Sequence, residues 1–458
     1  MGSSSKDTPT SILVIGSGIF GLSTAYALAQ REAFSDTEIT LLERLDFPAP
    51  DASSIDSSRI IRADYADPAY TALMAEGHGH WRSSFGANGR YTESGLCIVR
   101  DAGQDDGGGG GDADRYMAKA MHNVSQKLGL KVGTREEGGQ VEPLMTADDV
   151  NRVMGSMGGD CGSSGYVNWT SGWADAEAGV RYMRKLVKAT GRVEFRTAEV
   201  KRLLFGLDRV EGVELADGPS ITADLVILAT GAWTPKLVDL RGIASATGQI
   251  LAYLTLTQAE QERLGSNPTL LCESNGMFII QPRDCVLKVA RHGYGYANPV
   301  SIPHPERPDR GECITVSLPR TKQDDPDMQI PAEGMKACRD YLAKTIPALE
   351  DRPWTHTRVC WYTDTPDGDW LIDYHPTYRN LFIATGGSGH AYKFLPVIGE
   401  RVADVIERRD RDELGAELRQ KWAWPMEKFR EDHVWTEDWR GGRKGMILED
   451  ELSKPYRD

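Results

Sequence analysis

The sequence predicts an α/β (α+β two-domain) protein. One domain is a parallel sheet wrapped by helices, and the other is mostly antiparallel. Three observations carry that expectation. The apolar run Ser11-Ile12-Leu13-Val14-Ile15 opens on a glycine turn and then a helical periodicity, as a buried parallel strand does. Two further stretches, 223–233 and 357–405, repeat the pattern of strand and glycine turn. Between them, residues 250–345 change character, with short strand-like runs at Ile250–Leu256, Met277–Gln281 and Val286–Ala290. At 458 residues the chain is also too long for one ordinary core.

The first element is the most explicit. Gly16-Ser17-Gly18-Ile19-Phe20-Gly21 sits between the strand and a helix whose Leu22, Ala25, Leu28 and Ala29 share one face. That context marks a Rossmann-like dinucleotide cradle. Gly16 permits the tight turn, Gly18 lets a pyrophosphate approach the backbone, and Gly21 lets helix and strand pack closely. The helix N-terminus offers unpaired N–H groups to the phosphates. A second strand, Ile39-Thr40-Leu41-Leu42, ends at Glu43, about 20 residues on, where an acid bonds a ribose hydroxyl.

Leu96-Cys97-Ile98-Val99 reads as a strand, followed by a glycine-saturated stretch, 104–112, expected to be a flexible surface insertion. An amphipathic segment runs from Arg115 to Leu130. Residues 175–189 read as a helix, with acids first and Arg181, Arg184, Lys185 and Lys188 later. A hairpin-like pair follows around Gly206 and Gly212, then a buried strand closing on Gly231-Ala232-Trp233. The expected division is a discontinuous nucleotide domain (1–83, 165–240 and 346–410), a substrate domain (84–164 and 241–345) and an extension, 411–458.

A formal charge of −14 disfavours nucleic acid and anionic membrane as partners. The seven cysteines are scattered without a Cys-x-x-Cys pair, so neither a disulfide framework nor a metal site is expected. No apolar run approaches the roughly 20 residues a membrane span needs. The polar start lacks a signal-peptide core, and the last residues are no peroxisomal address, so the expectation is a cytoplasmic monomer.

Three ordered segments go further. They are Ser58-Arg59-Ile60-Ile61-Arg62 with Tyr65; Cys360-x-Tyr362-Thr363-x-Thr365-Pro366-Asp367 with Ile372-Asp373-x-His375-Pro376; and Gly386-Gly387-Ser388-Gly389-His390-Ala391-Tyr392-Lys393-Phe394. In order and spacing they resemble the monomeric sarcosine oxidase and fungal fructosyl amino acid oxidase (amadoriase) family. A looser match is Asn275-Gly276-Met277-Phe278 followed by Leu287-Lys288.

The resemblance implies FAD, with the Cys360 sulfur bonded to the flavin 8α carbon. It implies a cofactor site that adds Arg44, Ser58, Arg59, Val200, Gly231 and Trp233 to the glycine motif and Glu43. Gly387, Gly389, His390 and Lys393 complete that site. The final glycine turn, feeding Leu395–Gly399, would aim a helix N-terminus at the flavin's pyrimidine edge. Lys393 and Arg62 would clamp a substrate carboxylate, with Phe278 beside them. Lys288 would sit over flavin N5 and promote reaction with oxygen, because a nearby cation stabilises developing superoxide. Arg59 would lie near the other face. The implied reaction is oxidation of a C–N bond to an imine, with hydrogen peroxide formed from O2. His292, His390 and Tyr362 could help deprotonate the amine.

Two positions divide the family. Fructosyl enzymes place glutamate where this chain has His292 and arginine where it has His390. Both histidines resemble the sarcosine and pipecolate side. The expected substrate is therefore a secondary-amine amino acid: L-saccharopine, L-pipecolate or an N-methyl amino acid. Arg291 and Arg283 near the mouth would favour multiply carboxylated saccharopine. The alternatives are a deglycating fructosyl amino acid oxidase, and an amine dehydrogenase using another electron acceptor.

Overall fold

The computed structural model describes residues 8–101, 110–427 and 432–455. Its first sheet has six strands, in the order Leu371–Tyr374, Leu381–Thr385, Leu225–Leu228, Ser11–Ile15, Glu38–Glu43 and Val193–Thr197. Only the edge strand Leu371–Tyr374 runs antiparallel to its neighbour.

Both faces of this sheet are covered, which is why its strands are apolar without alternation. Ile12, Val14, Ile39 and Leu41 pack toward the helix Ile19–Gln30 and its neighbours Ala176–Ala189 and Ile398–Ile406. Leu13, Ile15 and Leu42 pack instead on Val200, Leu203, Val210 and Val213. These four belong to a small antiparallel sheet formed by Val200–Phe205, Val210–Leu215 and Ile221–Thr222. The first two strands are the hairpin expected around Gly206 and Gly212.

Glycines set the closest approaches. A Cβ on Gly21 would lie 1.8 Å from the Gly16 carbonyl oxygen, so helix and turn touch through backbone. Gly399 makes the same approach to Ser23, whose carbonyl oxygen would be 1.9 Å from a Cβ there.

The second sheet is mixed and mostly antiparallel. Ser245–Thr255 is its axis, paired with Val286–Arg291 on one side and His356–Asp364 on the other. The latter strand falls in the stretch read from sequence as part of the nucleotide unit, but its hydrogen bonds join it to this sheet. Register then decides the site. Tyr253 faces Lys288 and Gln249 faces Cys360, so with a period of two Lys288, Ala290, Cys360 and Tyr362 share one face. The opposite face carries Leu287, Val289, Val359 and Trp361 into a separate apolar core. Asp284 and Cys285, at φ 52° and 56°, make the two-residue turn between Met277–Arg283 and Val286–Arg291.

The expected insertion at 104–112 lies outside the described residues as far as 109. Gly110 opens the helix Gly110–His122, which runs into a wider turn at Asn123–Lys127. The Asn123 amide donates to the Tyr65 and Ala66 carbonyls, both at 3.0 Å, and pins the loop that follows Arg62. Among the described residues, no helix is long and apolar enough to cross a membrane.

Candidate active site

A single elongated cavity runs from the glycine turn of the first sheet to the inner face of the second. At its nucleotide end the wall includes Gly16, Gly18, Ile19, Phe20, Glu43 and Arg44, then Val200, Gly231 and Trp233. Gly18 is the informative glycine. A Cβ there would have only Ser54 Oγ near it, at 3.9 Å, so protein packing does not require glycine. A phosphate group lying against the backbone does, which fits a dinucleotide. Glu43 Oε2 accepts from the Ser17 N–H at 3.0 Å and the Ser17 hydroxyl at 2.7 Å, which fixes the acid beside the turn. Arg44 pairs with Asp51 and stacks over Trp233 at 4.3 Å. Ser17, Gly21 and Ser58 stand behind the wall rather than on it. Their roles are anchoring, close packing and, for Ser58, a carbonyl directed at Lys288.

The middle of the cavity is a buried charge cluster. Lys288 Nζ donates to Asp56 Oδ2 at 3.0 Å and to the Ser58 carbonyl at 2.6 Å. Asp56 also takes Arg59, and its other oxygen accepts from the Tyr253 hydroxyl at 2.7 Å. Burial opposes charge on Asp56, yet Lys288 and Arg59 hold its carboxyl far below the usual range. Burial pushes Lys288 down to about 8 against the pull of Asp56. Cys360 is buried on the same face, its Sγ 3.8 Å from Arg59 Nη2.

At the far end, Arg62 and Lys393 are both buried. Arg62 donates to the Asp64 carbonyl and, at 3.2 Å, to the Tyr116 hydroxyl. Lys393 Nζ donates to the Tyr65 hydroxyl at 2.8 Å and the His390 carbonyl at 3.0 Å. Among the described residues, no carboxylate forms an ion pair with either. Burial, and then Arg62, pushes Lys393 well below its ordinary value, so its ammonium form is disfavoured until an anion arrives.

His390 Nε2 lies 2.9 Å from the Gly368 carbonyl, which can only accept, and Nδ1 lies 3.0 Å from the Tyr65 hydroxyl. This fixes the Nε2–H tautomer and a chain from Lys393 through Tyr65 to His390. Burial and the Lys393 charge push His390 well below its ordinary value. His292 is lowered likewise, by burial and then Arg440, and sits 3.4 Å from the Tyr362 hydroxyl. Phe278 also lines the cavity.

Three expectations are corrected. Arg291 lines the cavity, but Glu333 engages it at 2.7 and 2.8 Å, so its charge is taken. Arg283 pairs with Asp175 at 2.5 Å and does not reach the cavity. The helix after the last glycine turn begins only at Ile398, and its Gly399 N–H is satisfied by Ser23 Oγ at 2.7 Å. The short turn Tyr392–Phe394 intervenes, so that helix end points at its neighbour helix rather than the cavity.

Sequence reasoning missed Asp56, Glu333 and Tyr116, which become partners only through tertiary packing. Trp439, in the extension 411–458, also reaches the wall. It arrives on a strap in which the Gly441 N–H donates to the His292 carbonyl at 2.8 Å and its carbonyl accepts from the Tyr294 N–H at 3.0 Å.

Comparison with known proteins agrees with this geometry. Residues 11–405 match the model of the family described as FAD dependent oxidoreductase. An amino acid oxidase of Aspergillus flavus is 31% identical, over 91% of this chain and 98% of its own length. The L-saccharopine oxidase of Schizosaccharomyces pombe is 26% identical, over 93% and 95%. A thermally stable fructosyl peptide oxidase mutant shares the fold, with a TM-score of 0.81 at 23% identity over 96% of this chain and 98% of that one. The chain therefore belongs to the FAD dependent oxidoreductase family, as a flavoprotein oxidase of the amine and amino acid type that acts on CH–NH donors.

Proposed function

We propose that this oxidase oxidises the C–N bond of a secondary-amine amino acid, of the L-saccharopine, L-pipecolate or N-methyl amino acid kind. Oxygen is the acceptor, and the products are an imine and hydrogen peroxide. The observation that carries the reading is the buried pair Arg62 and Lys393, which faces the cavity without a carboxylate of its own. A substrate carboxylate would complete it.

FAD, when bound, supplies the two-electron oxidant that takes a hydride equivalent from the carbon beside nitrogen and returns the electrons to oxygen. The chain's residues do the rest. Arg62 and Lys393 fix the carboxylate, and Tyr65 holds Lys393 and His390 in register. The amine binds uncharged, its proton given up to water on entry, and neutral His292, beside Tyr362, packs against it without competing for the nitrogen lone pair. Lys288 supplies positive charge where oxygen is reduced. Cys360, buried among Leu251, Tyr253 and Ala290, is the residue that would tether the cofactor. The imine is hydrolysed by water after release.

The test is acid precipitation of the purified protein, followed by a peroxide assay under air. Yellow colour should stay with the precipitated polypeptide and be lost to the supernatant in Cys360→Ser. Secondary amino acids should release peroxide. Preference for fructosyl-lysine or fructosyl-valine would replace this reading with the deglycating one. Flavin reduction without peroxide would mark a dehydrogenase.

A further inference from the structure

We propose, resting on that reading, that the site selects an amino acid with one carboxylate and an aromatic or apolar side chain, and that Trp439 is a specificity-determining residue.

Most basic residues on the cavity wall already have an acidic partner. At the nucleotide end Arg44 pairs with Asp51 and Lys236 with Glu199. In the middle, Arg59 and Lys288 share Asp56. Arg291, the basic residue closest in sequence to His292, is held on both nitrogens by Glu333, which also accepts from Tyr296. Among the described residues this leaves Arg62 and Lys393, which lie together, and one carboxylate satisfies both. A second carboxylate would enter a buried site with no free cation to meet it, which is costly.

The surface left for the side chain is largely aromatic. Arg62 donates to the Tyr116 hydroxyl, the Tyr116 ring lies 5.5 Å from Trp439, and Trp439 lies 5.1 Å from His292. His292 in turn meets the Tyr362 ring at 5.8 Å. Trp439, His292 and Tyr362 thus line the cavity beside the carboxylate clamp, with Tyr116 behind the wall and His292 uncharged. A flat or apolar side chain packs on such a surface, whereas sugar hydroxyls would lose hydrogen bonds to water there. Trp439 is held in place by Arg440, which is buried beside it and bonds Asp438 at 2.6 Å and the Ser388 carbonyl at 3.1 Å.

The experiment compares kcat/KM for N-methyl-L-phenylalanine, L-pipecolate, sarcosine and L-saccharopine by peroxide release from holoenzyme. It is paired with calorimetric binding of two non-reacting acids, phenylacetate and glutarate. N-methyl-L-phenylalanine should exceed saccharopine at least tenfold, and phenylacetate should bind at least tenfold tighter than glutarate. Trp439→Ala should lower the preference for N-methyl-L-phenylalanine over sarcosine at least tenfold. Glu333→Gln, which releases Arg291, should raise relative turnover of saccharopine severalfold, a change that mere structural damage would not produce. Saccharopine turned over as well as the aromatic substrate would overturn this inference while leaving the proposed function standing. Failure of every secondary amino acid would overturn both.

Discussion

Lys288 is paired with Asp56 in a place that resists charge. Burial lowers its pKa to about 8, Asp56 pulls it back up and Arg59 pushes it down again. Below about 8 the proton is on, and above it the amine is neutral. If Lys288 supplies the charge that assists oxygen reduction, kcat/KM for oxygen falls as pH rises through about 8, and Lys288→Met removes that inflection. A profile without the inflection in the native enzyme would remove Lys288 from the oxygen step. The lysine itself was legible, because it follows the Asn275-Gly276-Met277-Phe278 run at a recognisable spacing. Its counterion was not. Asp56 sits in the polar stretch Ala52–Ser58 with no pattern around it, and only the pairing of Tyr253 with Lys288 brings the two together. Arg291 shows the converse error. Its position suggested a free cation, and Glu333, on a helix 42 residues away, takes it.

Among the elements, the strand, glycine turn and helix of Ser11–Gln30 were legible from periodicity and glycine, and the helix Ala176–Ala189 from its acids first and bases later. Strand membership was not legible. His356–Asp364 is buried on both faces from Val359 to Trp361, and nothing local says that it pairs with Ser245–Thr255 rather than the parallel sheet. The last glycine turn misled for a similar reason, since the interposed turn Tyr392–Phe394 leaves the next helix to dock on Ser23. That docking gives a direct prediction. Gly399→Ala places a methyl group 1.9 Å from the Ser23 carbonyl oxygen, so two helices must separate. Overpacking of this kind costs about 1–3 kcal/mol, read as a lower midpoint in thermal or denaturant unfolding. An unchanged midpoint would show that the contact is not tight.

Across the whole molecule, the site is an assembly of distant segments: Lys393 and Tyr65, in contact, are 328 residues apart in the chain. Sequence motifs located the pieces, and the fold supplies their relations, including the unmatched Arg62 and Lys393. The same burial has a global cost in acid. Burial pushes His78 to about 3 and His433 to about 4, and His292 and His390 also lie well below the ordinary histidine value. As pH falls below about 6.5, the unfolded chain takes up protons that the folded one refuses. These depressed histidines contribute stability that is present above about pH 6.5 and lost progressively below it. Urea unfolding midpoints should fall steadily from about pH 7 to 5, and a constant midpoint would contradict the assigned neutral states.

On the proposed reading, Arg62 and Lys393 seize the carboxylate of an amino acid whose secondary amine is oxidised. Peroxide release from one N-methyl amino acid and from its carboxamide, under identical conditions, tests it without any mutation. A charge-assisted hydrogen bond is worth about 1.5–3 kcal/mol, so losing two predicts a fall of at least about 100-fold in kcat/KM for the amide. Equal turnover of acid and amide would mean that the two buried basic residues do not hold the substrate.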